Sequence, residues 1–452
     1  MKKILILGAG QSTAYLISYL LEKAQQHDWT ITVGDLSREA AEARVGGHPR
    51  GTAVYFDVND GEMRTAHIKE ADLVVNMLPP TFQHLVGWDC VANGAHMITA
   101  SYEDIRMKDL DKDAGRHGLI ILNEMGLDPG IDHMSAVEVI TDIRERGGRV
   151  ESFKSYGGGL PAPDADLNPL RYAITWNPRN VVMAGEWGAT YLVDGKFKML
   201  PAHEVFQRTW SVEVDGIGRL EAYPNRDSIY YKNLLGLNHA HTMIRGTMRF
   251  PGWCETWLQI VRLGLPNEKL RLPDVERLTY RDLTEMFLPA HMDKGSLKAR
   301  VADFLKISPT GKIMKNLEWL GLFSQDDIPA RAETVTDVMI DLLKRKMPLP
   351  PGKRDMVIIM HEIEARFPGP PEKGERITST MVQFGEPGGA TAMSKTVGLP
   401  AAIAAILILT GEIDLTGCQL PTHPDIYTKV LKELRNSGIE FKMTVEKLDG
   451  GD

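Results

Sequence analysis

A short apolar segment that runs into a glycine-rich turn constrains the fold more than any other feature. Residues 3–7 (KILIL) lead directly into Gly8-Ala9-Gly10-Gln11-Ser12-Thr13, where a helical sequence begins. The first glycine permits a tight turn, and the second lets the backbone approach a pyrophosphate at the helix N-terminus. Thr13 replaces the third glycine of the usual pattern, which weakens the signal. We therefore predict a dinucleotide-binding unit of the Rossmann type, with Gly8, Gly10 and Ser12 as cofactor contacts.

The first part of the chain alternates short β-like runs with helical stretches. Such alternation predicts a doubly wound parallel sheet that is covered by helices on both faces. The predicted strands are 3–7, 30–33, 53–56, 73–76, 96–99 and 119–122, and helices are predicted at 13–24, 82–92 and 108–117.

Several polar residues follow these predicted strands, where ligands bind in open α/β sheets. Asp35 ends the second strand, where an acid accepts hydrogen bonds from the adenosine ribose and repels a 2′-phosphate. This favours NAD over NADP, although Arg38 leaves NADP open. Asp57 is predicted to approach the adenine, and Asn76 and Leu78 follow the fourth strand, where the ribose and nicotinamide pass.

Charge and cysteine content exclude some classes of protein. The 60 acidic and 52 basic residues give a formal net charge of −8, which argues against a general nucleic-acid binder. Three widely spaced cysteines offer no disulfide framework, so we expect a reducing, cytoplasmic location. The apolar stretch at 397–409 is short and contains Pro400, so it is read as a buried helix and not as a membrane span.

The amino-acid composition of the sequence changes after residue 122. Residues 150–253 are rich in Gly, Pro, Trp and Tyr, with strand-like pieces at 152–156 and 181–184. Helical periodicity returns between 266 and 347. Two further strands are predicted at 355–364 and 378–384, and the final stretch from 390 is mostly helical.

Dense motifs lie outside the predicted sheet. The segment 123–133 (NEMGLDPGIDH) follows a strand, and Asp128 is expected to cap a helix that starts near Pro129. His133 is read as an ordinary capping or core residue. Two arginine clusters, 223–228 (YPNRDS) and 244–249 (IRGTMR), suit bidentate recognition of carboxylates. No metal site is expected, because no histidine or cysteine spacing typical of zinc occurs.

These motifs together resemble the saccharopine dehydrogenase (L-glutamate-forming) family, also called saccharopine reductase. The resemblance extends from Gly8 past Pro400 and covers nearly the whole chain. The segments that carry it are 123–133, 158–163 (GGLPAP), 168–170 (NPL), 223–228, 245–249 and 392–401 (AMSKTVGLPA).

The resemblance implies an α/β fold with a Rossmann sheet, an inserted mixed α/β substrate domain and a small helical domain. The expected boundaries are 1–125 with 390–452 for the nucleotide domain, 126–265 with 353–389 for the substrate and dimerisation domain, and 266–352 for the helical domain. The implied substrate contacts are Ser101, Tyr102, Asp128, Arg226, Thr247 and Arg249. The implied nucleotide contacts are Gly10, Gln11, Asp35, Leu127 and Pro129.

The implied reaction interconverts saccharopine with glutamate and 2-aminoadipate 6-semialdehyde in lysine metabolism, using NAD or NADP. Saccharopine carries three carboxylates, which explains a need for arginines. Asp128 is the first candidate for the proton transfers that the chemistry requires, and Tyr102 is the second. A homodimer is expected from the family.

Departures from the family pattern keep alternatives open. Gly157 replaces a cysteine that is common in the family, and the fungal members use NADP and lack an acid at the position of Asp35. One alternative is a related imine reductase, such as a carboxynorspermidine or homospermidine synthase. Another is an NAD-binding sensor without turnover.

Overall fold

A computed structural model describes residues 1–165, 167–370 and 373–448. The chain divides into two compact units. The first contains Met1–Arg149 and Met381–Met443, and the second contains Val150–Thr380 and the described residues from Thr444 onwards. The first unit thus contains residues from both predicted segments of the nucleotide domain, 1–125 and 390–452, but Thr444 and the described residues after it lie in the second unit. The predicted domain boundaries remain a prediction. The division of the second unit into a substrate part and a helical part remains a prediction.

Sixteen strands are present in the described residues. In chain order they are β1 (Lys3–Leu7), β2 (Thr30–Asp35), β3 (Gly51–Tyr55), β4 (Leu73–Asn76), β5 (His96–Thr99), β6 (Ile120–Leu122), β7 (Arg149–Pro161), β8 (Ala189–Val193), β9 (Lys196–Leu200), β10 (Trp210–Val214), β11 (Gly218–Pro224), β12 (Thr242–Arg249), β13 (Asp355–Phe367), β14 (Lys373–Phe384), β15 (Gly417–Gln419) and β16 (Lys442–Leu448).

Sixteen α-helices connect or flank the strands of the described chain. They are α1 (Ala14–His27), α2 (Arg38–Val45), α3 (Gly61–Lys69), α4 (Gln83–Asn93), α5 (Ile105–Lys108), α6 (Asp111–Arg116), α7 (Ile131–Glu145), α8 (Pro178–Met183), α9 (Tyr230–Leu234), α10 (Trp253–Leu263), α11 (Tyr280–Met286), α12 (Leu297–Leu305), α13 (Lys312–Leu320), α14 (Val335–Lys346), α15 (Ala392–Leu409) and α16 (Pro424–Asn436).

The first unit is built on a seven-stranded sheet in the order β15-β6-β5-β4-β1-β2-β3. Every pair in this sheet is parallel. The chain order reverses between β1 and β4, which is the topological switch point where such sheets bind ligands. The predicted Rossmann-type parallel sheet is confirmed, and each of the six predicted strands is present within three residues of its expected ends.

Local sequence explains why the helices of this unit begin and end where they do. The Ser37 side chain accepts a hydrogen bond from the Ala40 N–H at the start of α2, and Gly46 ends that helix in the left-handed conformation. Helix α1 buries one face of its sequence, and its apolar residues recur at helical spacing. The buried residues of α1 are Leu16, Ile17, Leu20, Leu21 and Ala24.

Helix α15, near the end of the sequence, completes the core of the first unit. It is long and apolar enough to cross a membrane by length and composition, but 78% of it is buried inside the protein. Ser394 Oγ accepts a hydrogen bond from the Tyr15 N–H at 3.0 Å, and Gly398 lies against Leu16. The segment 392–401, which carried part of the family resemblance, therefore joins the last helices to α1. Pro400 lies within this buried helix, as predicted.

The second unit contains a mixed sheet of nine strands. Its main path is β10-β11-β12-β7-β13-β14-β16, and the hairpin β8–β9 attaches to β12. Strand β12 pairs with β7 in parallel and with β11 in the antiparallel direction. This sheet confirms the predicted mixed α/β character, and it includes the predicted strands 152–156, 355–364 and 378–384.

One predicted strand is wrong. Residues 181–184 belong to the end of α8 and to the turn that follows it. The Val181–Val182 pair favours a strand, but Asn177 accepts a hydrogen bond from the Arg179 N–H and Pro178 occupies the first helical position. Capping and burial therefore override the β propensity of two valines.

Candidate functional site

The glycine-rich turn has the geometry that the sequence predicts for a dinucleotide site. Gly8 follows β1 with a φ of 104°, and a Cβ placed there would lie 3.3 Å from the Met77 carbonyl oxygen. Gly10 is exposed, and a Cβ there would meet no atom within 4 Å. Gln11 and Ser12 form the helical turn that precedes α1. The turn therefore leaves open backbone at a helix N-terminus, which suits a pyrophosphate.

Asp35 at the end of β2 contacts this turn directly. Its Oδ2 accepts a hydrogen bond from the Ala9 N–H at 2.7 Å, and its Oδ1 accepts one from the Ser37 N–H at 2.9 Å. Arg44 donates from Nε to the Ala9 carbonyl at 3.2 Å. Arg38 pairs with Glu42 on the exposed face of α2. The Asp35 carboxylate thus connects the turn that follows β1 to the turn that follows β2.

Two buried amides near the end of β4 have unsatisfied polar atoms. Asn76 is fully buried and Gln83 is 1% exposed. Among the described residues, Asn76 Nδ2 and both side-chain polar atoms of Gln83 have no hydrogen-bond partner. Such groups are costly unless a ligand satisfies them. Together with the open glycine turn, they fit a bound dinucleotide.

The remaining predicted cofactor residues lie in the first unit. Asp57 follows β3 and accepts a hydrogen bond from the Asn59 N–H at 2.9 Å. The Leu78 N–H donates to Asn76 Oδ1 at 3.2 Å. Leu127 and Pro129 are both buried in the loop between β6 and α7. Direct contact between any of them and a cofactor remains a prediction.

The two candidate catalytic residues lie together. The Tyr102 hydroxyl donates a hydrogen bond to Asp128 Oδ1 at 2.9 Å, and both side chains are partly buried. Tyr102 follows β5, whereas Asp128 follows β6, and neighbouring parallel strands bring these two ends together. Ser101 lies beside Tyr102, and its N–H donates to Thr99 Oγ1. A phenol and a carboxylate in contact form a possible proton-transfer pair.

The expected capping role of Asp128 is wrong. Helix α7 begins at Ile131, its N-cap is Gly130, and no side chain caps it. The Asp132 carboxylate instead accepts a hydrogen bond from the Gly130 N–H at 2.8 Å. The compact loop between Gly126 and Gly130 displaces the helix start, because Gly130 has a φ of 144°. The Asp128 side chain is consequently directed to Tyr102.

The predicted arginines belong to the second unit. Arg226 follows β11 in a left-handed conformation with a φ of 52°. Its side chain is exposed, and its guanidinium stacks 4.0 Å above the Trp187 ring. Thr247 is half-buried in β12 and lies opposite Tyr223 in β11. The polar ends of two neighbouring strands are thus brought together within this unit.

Arg249 is a buried cation with an incomplete set of partners. It is 4% exposed, and its Nη1 donates to the Met248 carbonyl at 2.8 Å. Its guanidinium lies 4.9 Å from the Tyr172 ring, 5.7 Å from Trp253 and 6.0 Å from Tyr223.

No carboxylate among the described residues lies within ion-pair distance of Arg249, and its Nε has no partner there. A buried charge without a counter-ion is unfavourable. An anionic ligand would supply what this side chain lacks.

Sequence reasoning missed several residues near these features. Gln83 carries no motif, and its burial becomes visible only in the fold. Nδ1 of the buried His133 lies 3.0 Å from Glu124 Oε2, although His133 was read as an ordinary capping or core residue. Of the aromatic rings around Arg249, Trp253 is close in sequence, but Tyr172 and Tyr223 are distant, so no local pattern reveals the whole set.

Other chemistries find little support in the described part of the chain. No group of three or more His, Cys, Asp or Glu side chains could hold a metal ion there. All three cysteines are free, and Cys90 and Cys254 are buried. Burial raises the pKa of the Cys418 thiol to about 12, with Glu103 and Asp111 contributing. These thiols are therefore poor nucleophiles at neutral pH.

Comparison with known proteins places this architecture in a family. The saccharopine dehydrogenase NADP binding domain matches residues 4–122, and the saccharopine dehydrogenase C-terminal domain matches residues 126–439. The boundary between the two matches follows β6.

Curated relatives are similar over nearly the whole chain. Saccharopine dehydrogenase (NADP+, L-glutamate-forming) from Pyricularia oryzae is 31% identical over 98% of this chain and 99% of its own length. Mitochondrial alpha-aminoadipic semialdehyde synthase from Bos taurus is 34% identical over 97% of this chain. The chain spans 47% of the length of that bovine relative.

A solved structure has the same fold. The apo saccharopine dehydrogenase (L-Glu forming) from Saccharomyces cerevisiae matches with a TM-score of 0.86 and 29% identity, over 99% of this chain and 100% of that one. The two matched domains together cover most of the chain, and the solved structure shares its fold. The chain belongs to the saccharopine dehydrogenase family.

Proposed function

We propose that this protein is an oxidoreductase that acts on the CH–NH group of saccharopine with NAD(P). The reaction converts saccharopine, NAD(P)+ and water into glutamate, 2-aminoadipate 6-semialdehyde, NAD(P)H and a proton, or runs in reverse. The single observation that carries the proposal is the buried Arg249, whose guanidinium lacks a carboxylate partner among the described residues. A substrate with three carboxylates would supply that partner.

The first unit supplies the proposed cofactor site. Gly8, Gly10, Gln11 and Ser12 would cradle the pyrophosphate, because the open turn precedes a helix. The buried amides of Asn76 and Gln83 would accept and donate hydrogen bonds further along the dinucleotide. When bound, the nicotinamide supplies or accepts the hydride. Leu127 and Pro129 would line the loop at the same edge of the sheet.

The Tyr102–Asp128 pair would handle protons. Oxidation of a secondary amine and hydrolysis of the resulting C=N bond require proton transfers between nitrogen, oxygen and water. The Tyr102 hydroxyl already donates to Asp128 Oδ1, so the carboxylate can accept a proton that the phenol passes on. Ser101, beside Tyr102, would bind a polar group of the substrate.

We propose NAD as the preferred cofactor. The matched domain and the fungal relatives are named for NADP, but Asp35 places a carboxylate beside the glycine turn. A carboxylate there repels a 2′-phosphate and accepts hydrogen bonds from ribose hydroxyls. For NADP to bind, nearby cations would have to offset this repulsion. Those nearest to Asp35 in sequence are Arg38 and Arg44.

The decisive experiment offers saccharopine with NAD and, separately, with NADP while the absorbance of reduced nicotinamide is followed. Wild-type turnover is expected with at least one cofactor. Arg249→Met removes the charge and keeps an apolar side chain, and it should raise the saccharopine KM about 10- to 100-fold, since charged hydrogen bonds contribute about 1.5–3 kcal/mol. Arg219→Met, on the exposed face of β11, is the matched control and should change little.

Two outcomes would point elsewhere. Turnover of an amine with one or two carboxylates, without turnover of saccharopine, would support a carboxynorspermidine- or homospermidine-type enzyme. Tight binding of NAD without turnover of any amine would support a sensor. The cytoplasmic location and a homodimer remain expectations that cell fractionation and analytical ultracentrifugation would test.

A further inference from the structure

Three buried ionisable side chains close to Asp128 in sequence have no part in the chemistry proposed above. Glu124 is 1% exposed, and Asp132 and His133 are each 3% exposed. Nδ1 of His133 lies 3.0 Å from Glu124 Oε2, and Nε2 lies 3.3 Å from Asp132 Oδ2. We call these three residues the histidine clamp. Burial of ionisable groups is unfavourable, so their presence in a core requires a physical reason.

One end of the histidine clamp holds the segment that carries Tyr102. The Glu124 N–H donates to the Ser101 carbonyl at 3.1 Å. The Glu124 Oε1 accepts a hydrogen bond from the Glu103 N–H at 3.1 Å. Glu124 therefore binds the residue on either side of Tyr102. It does so in a left-handed backbone conformation, with a φ of 61°, which is unfavourable for a residue other than glycine.

The other end of the histidine clamp holds the segment that carries Asp128. The Asp132 Oδ1 accepts a hydrogen bond from the Gly130 N–H at 2.8 Å. The Asp132 N–H donates to the Leu127 carbonyl at 3.1 Å. Asp128 lies between these two anchored residues. Each carboxylate thus anchors one of the two loops, and His133 contacts both carboxylates.

We propose that His133 is a positioning residue that keeps Tyr102 and Asp128 at hydrogen-bond distance by joining Glu124 to Asp132. The inference rests on the proposed function only in giving the Tyr102–Asp128 pair a catalytic task. The strain at Glu124 and the burial of three ionisable groups are then explained by the precision that a proton-transfer pair requires. A displacement of about 1 Å in such a pair can lower a rate about 100-fold.

A double-mutant cycle tests this coupling. His133→Asn and Tyr102→Phe are compared singly and together, with kcat for saccharopine as the readout. We expect each single change to lower kcat about 10- to 100-fold, and the double variant to be no slower than Tyr102→Phe alone, because the clamp acts through that pair. If the losses of kcat in the two single variants multiply in the double variant, the proposal is overturned. It is also overturned if folded His133→Asn has an unchanged kcat.

Two further variants separate positioning from folding. His96→Asn removes a partly buried histidine of the same unit at the amino end of β5, the edge opposite the site, and should leave kcat unchanged. If His133→Asn fails to fold, Glu124→Gln replaces it in the cycle. Glutamine keeps the size and one acceptor but loses the charge that faces His133. The same non-additive loss of kcat is expected, and additive losses would contradict the proposal.

A measurement without turnover distinguishes failure of the clamp from failure of the proposed function. The 12 tyrosines are replaced biosynthetically by 3-fluorotyrosine, and the ¹⁹F resonance of Tyr102 is assigned with Tyr102→Phe. That resonance should shift in His133→Asn and remain in place in His96→Asn. An unshifted resonance would refute the clamp even in an active enzyme. A shifted resonance in a protein inactive on saccharopine would retain the clamp and refute the proposed substrate.

Discussion

At the scale of single residues, Arg226 and Arg249 differ in how the fold holds their charge. Arg249 is buried among three aromatic rings, whereas Arg226 is exposed and stacks on Trp187. Stacking fixes the plane of the Arg226 guanidinium at the surface. Arg226 therefore carries its charge at the surface of the second unit, whereas Arg249 carries its charge in the interior.

Arg226→Ala should impair the use of saccharopine more than the use of amines with fewer carboxylates. We expect the saccharopine KM to rise about 10-fold or more, because a charge-assisted hydrogen bond is lost at a partly solvated position. Steady-state kinetics with saccharopine and with a mono-carboxylate amine give the comparison. Equal losses for both substrates would argue against a role in carboxylate recognition.

Asp35→Ser should shift cofactor preference from NAD toward NADP. The change removes the carboxylate that would repel a 2′-phosphate, and it also removes the acceptor for the Ala9 and Ser37 N–H groups. The ratio of kcat/KM for the two cofactors is the measurement, since it is independent of the fraction of folded enzyme. Thermal unfolding of the same variant reports how much the glycine turn depends on Asp35. A preference for NADP in the wild type would contradict the assignment.

At the scale of elements, helix α14 is defined by a capping box. The Thr334 side chain accepts a hydrogen bond from the Asp337 N–H, and the Asp337 carboxylate accepts one from the Thr334 N–H. Desolvation would raise the pKa of Asp337, but the hydrogen bonds from Thr334 outweigh it and lower that pKa. A carboxyl group with a lowered pKa contributes stability above its unfolded value, and that contribution is lost as the pH falls through the folded value.

Asp337→Asn should lower the free energy of unfolding by about 1 kcal/mol at neutral pH. The difference in the free energy of unfolding between the variant and the wild type should become smaller below about pH 4. In this range the carboxyl of Asp337 is protonated in the unfolded wild type and begins to be protonated in the folded wild type. Urea unfolding monitored by circular dichroism over a pH series gives the measurement. Asp303→Asn, at an exposed pair on α12, is the control and should change stability little. If the difference in the free energy of unfolding grows on acidification, the predicted direction of the pH dependence is wrong.

The contact between α15 and α1 depends on the absence of a side chain at Gly398. A Cβ there would lie 2.9 Å from the Leu16 backbone nitrogen and 2.9 Å from its Cβ. Gly398→Ala gains about 1 kcal/mol in helix propensity, but overpacking costs about 1–3 kcal/mol. Net destabilisation is therefore expected in thermal unfolding.

Gly115→Ala is the matched control for this helix contact. Gly115 lies in α6, and a Cβ there meets nothing within 4 Å. The substitution should stabilise the protein by about 0.5–1 kcal/mol. Stabilisation by both substitutions would show that the α15–α1 contact is not tight.

At the scale of the whole molecule, the first unit is assembled from two segments that are distant in sequence, Met1–Arg149 and Met381–Met443. Strand β15 pairs with β6, and α15 has fourteen buried residues. A chain that ends after residue 390 should therefore expose the apolar sheet surface and lose cofactor binding. Fluorescence titration with NADH and binding of a hydrophobic dye measure the two effects. Undiminished NADH affinity in the truncated chain would show that the C-terminal segment is dispensable.

Features that depend on local order were predictable from the sequence. The strand–turn–helix at Gly8 follows from apolar runs and from a backbone conformation that favours glycine. The carboxyl ends of the parallel strands β5 and β6 lie at one edge of the sheet, where Tyr102 and Asp128 are in contact. The prediction for residues 181–184 is wrong because two valines are compatible with a helix once Asn177 caps it.

Sequence alone determined the parallel sheet, the position of the nucleotide turn and the membership of the family. The alternation of strand-like and helical segments, the placement of the glycines and the order of the motifs are all local properties of the sequence. Only the tertiary structure decided that His133 contacts two carboxylates and that Arg249 is enclosed by aromatic rings. It also decided that Gln83 is buried without a partner among the described residues. These properties depend on burial and on contacts between side chains of different elements. Neither burial nor such contacts can be recognised from a local sequence pattern.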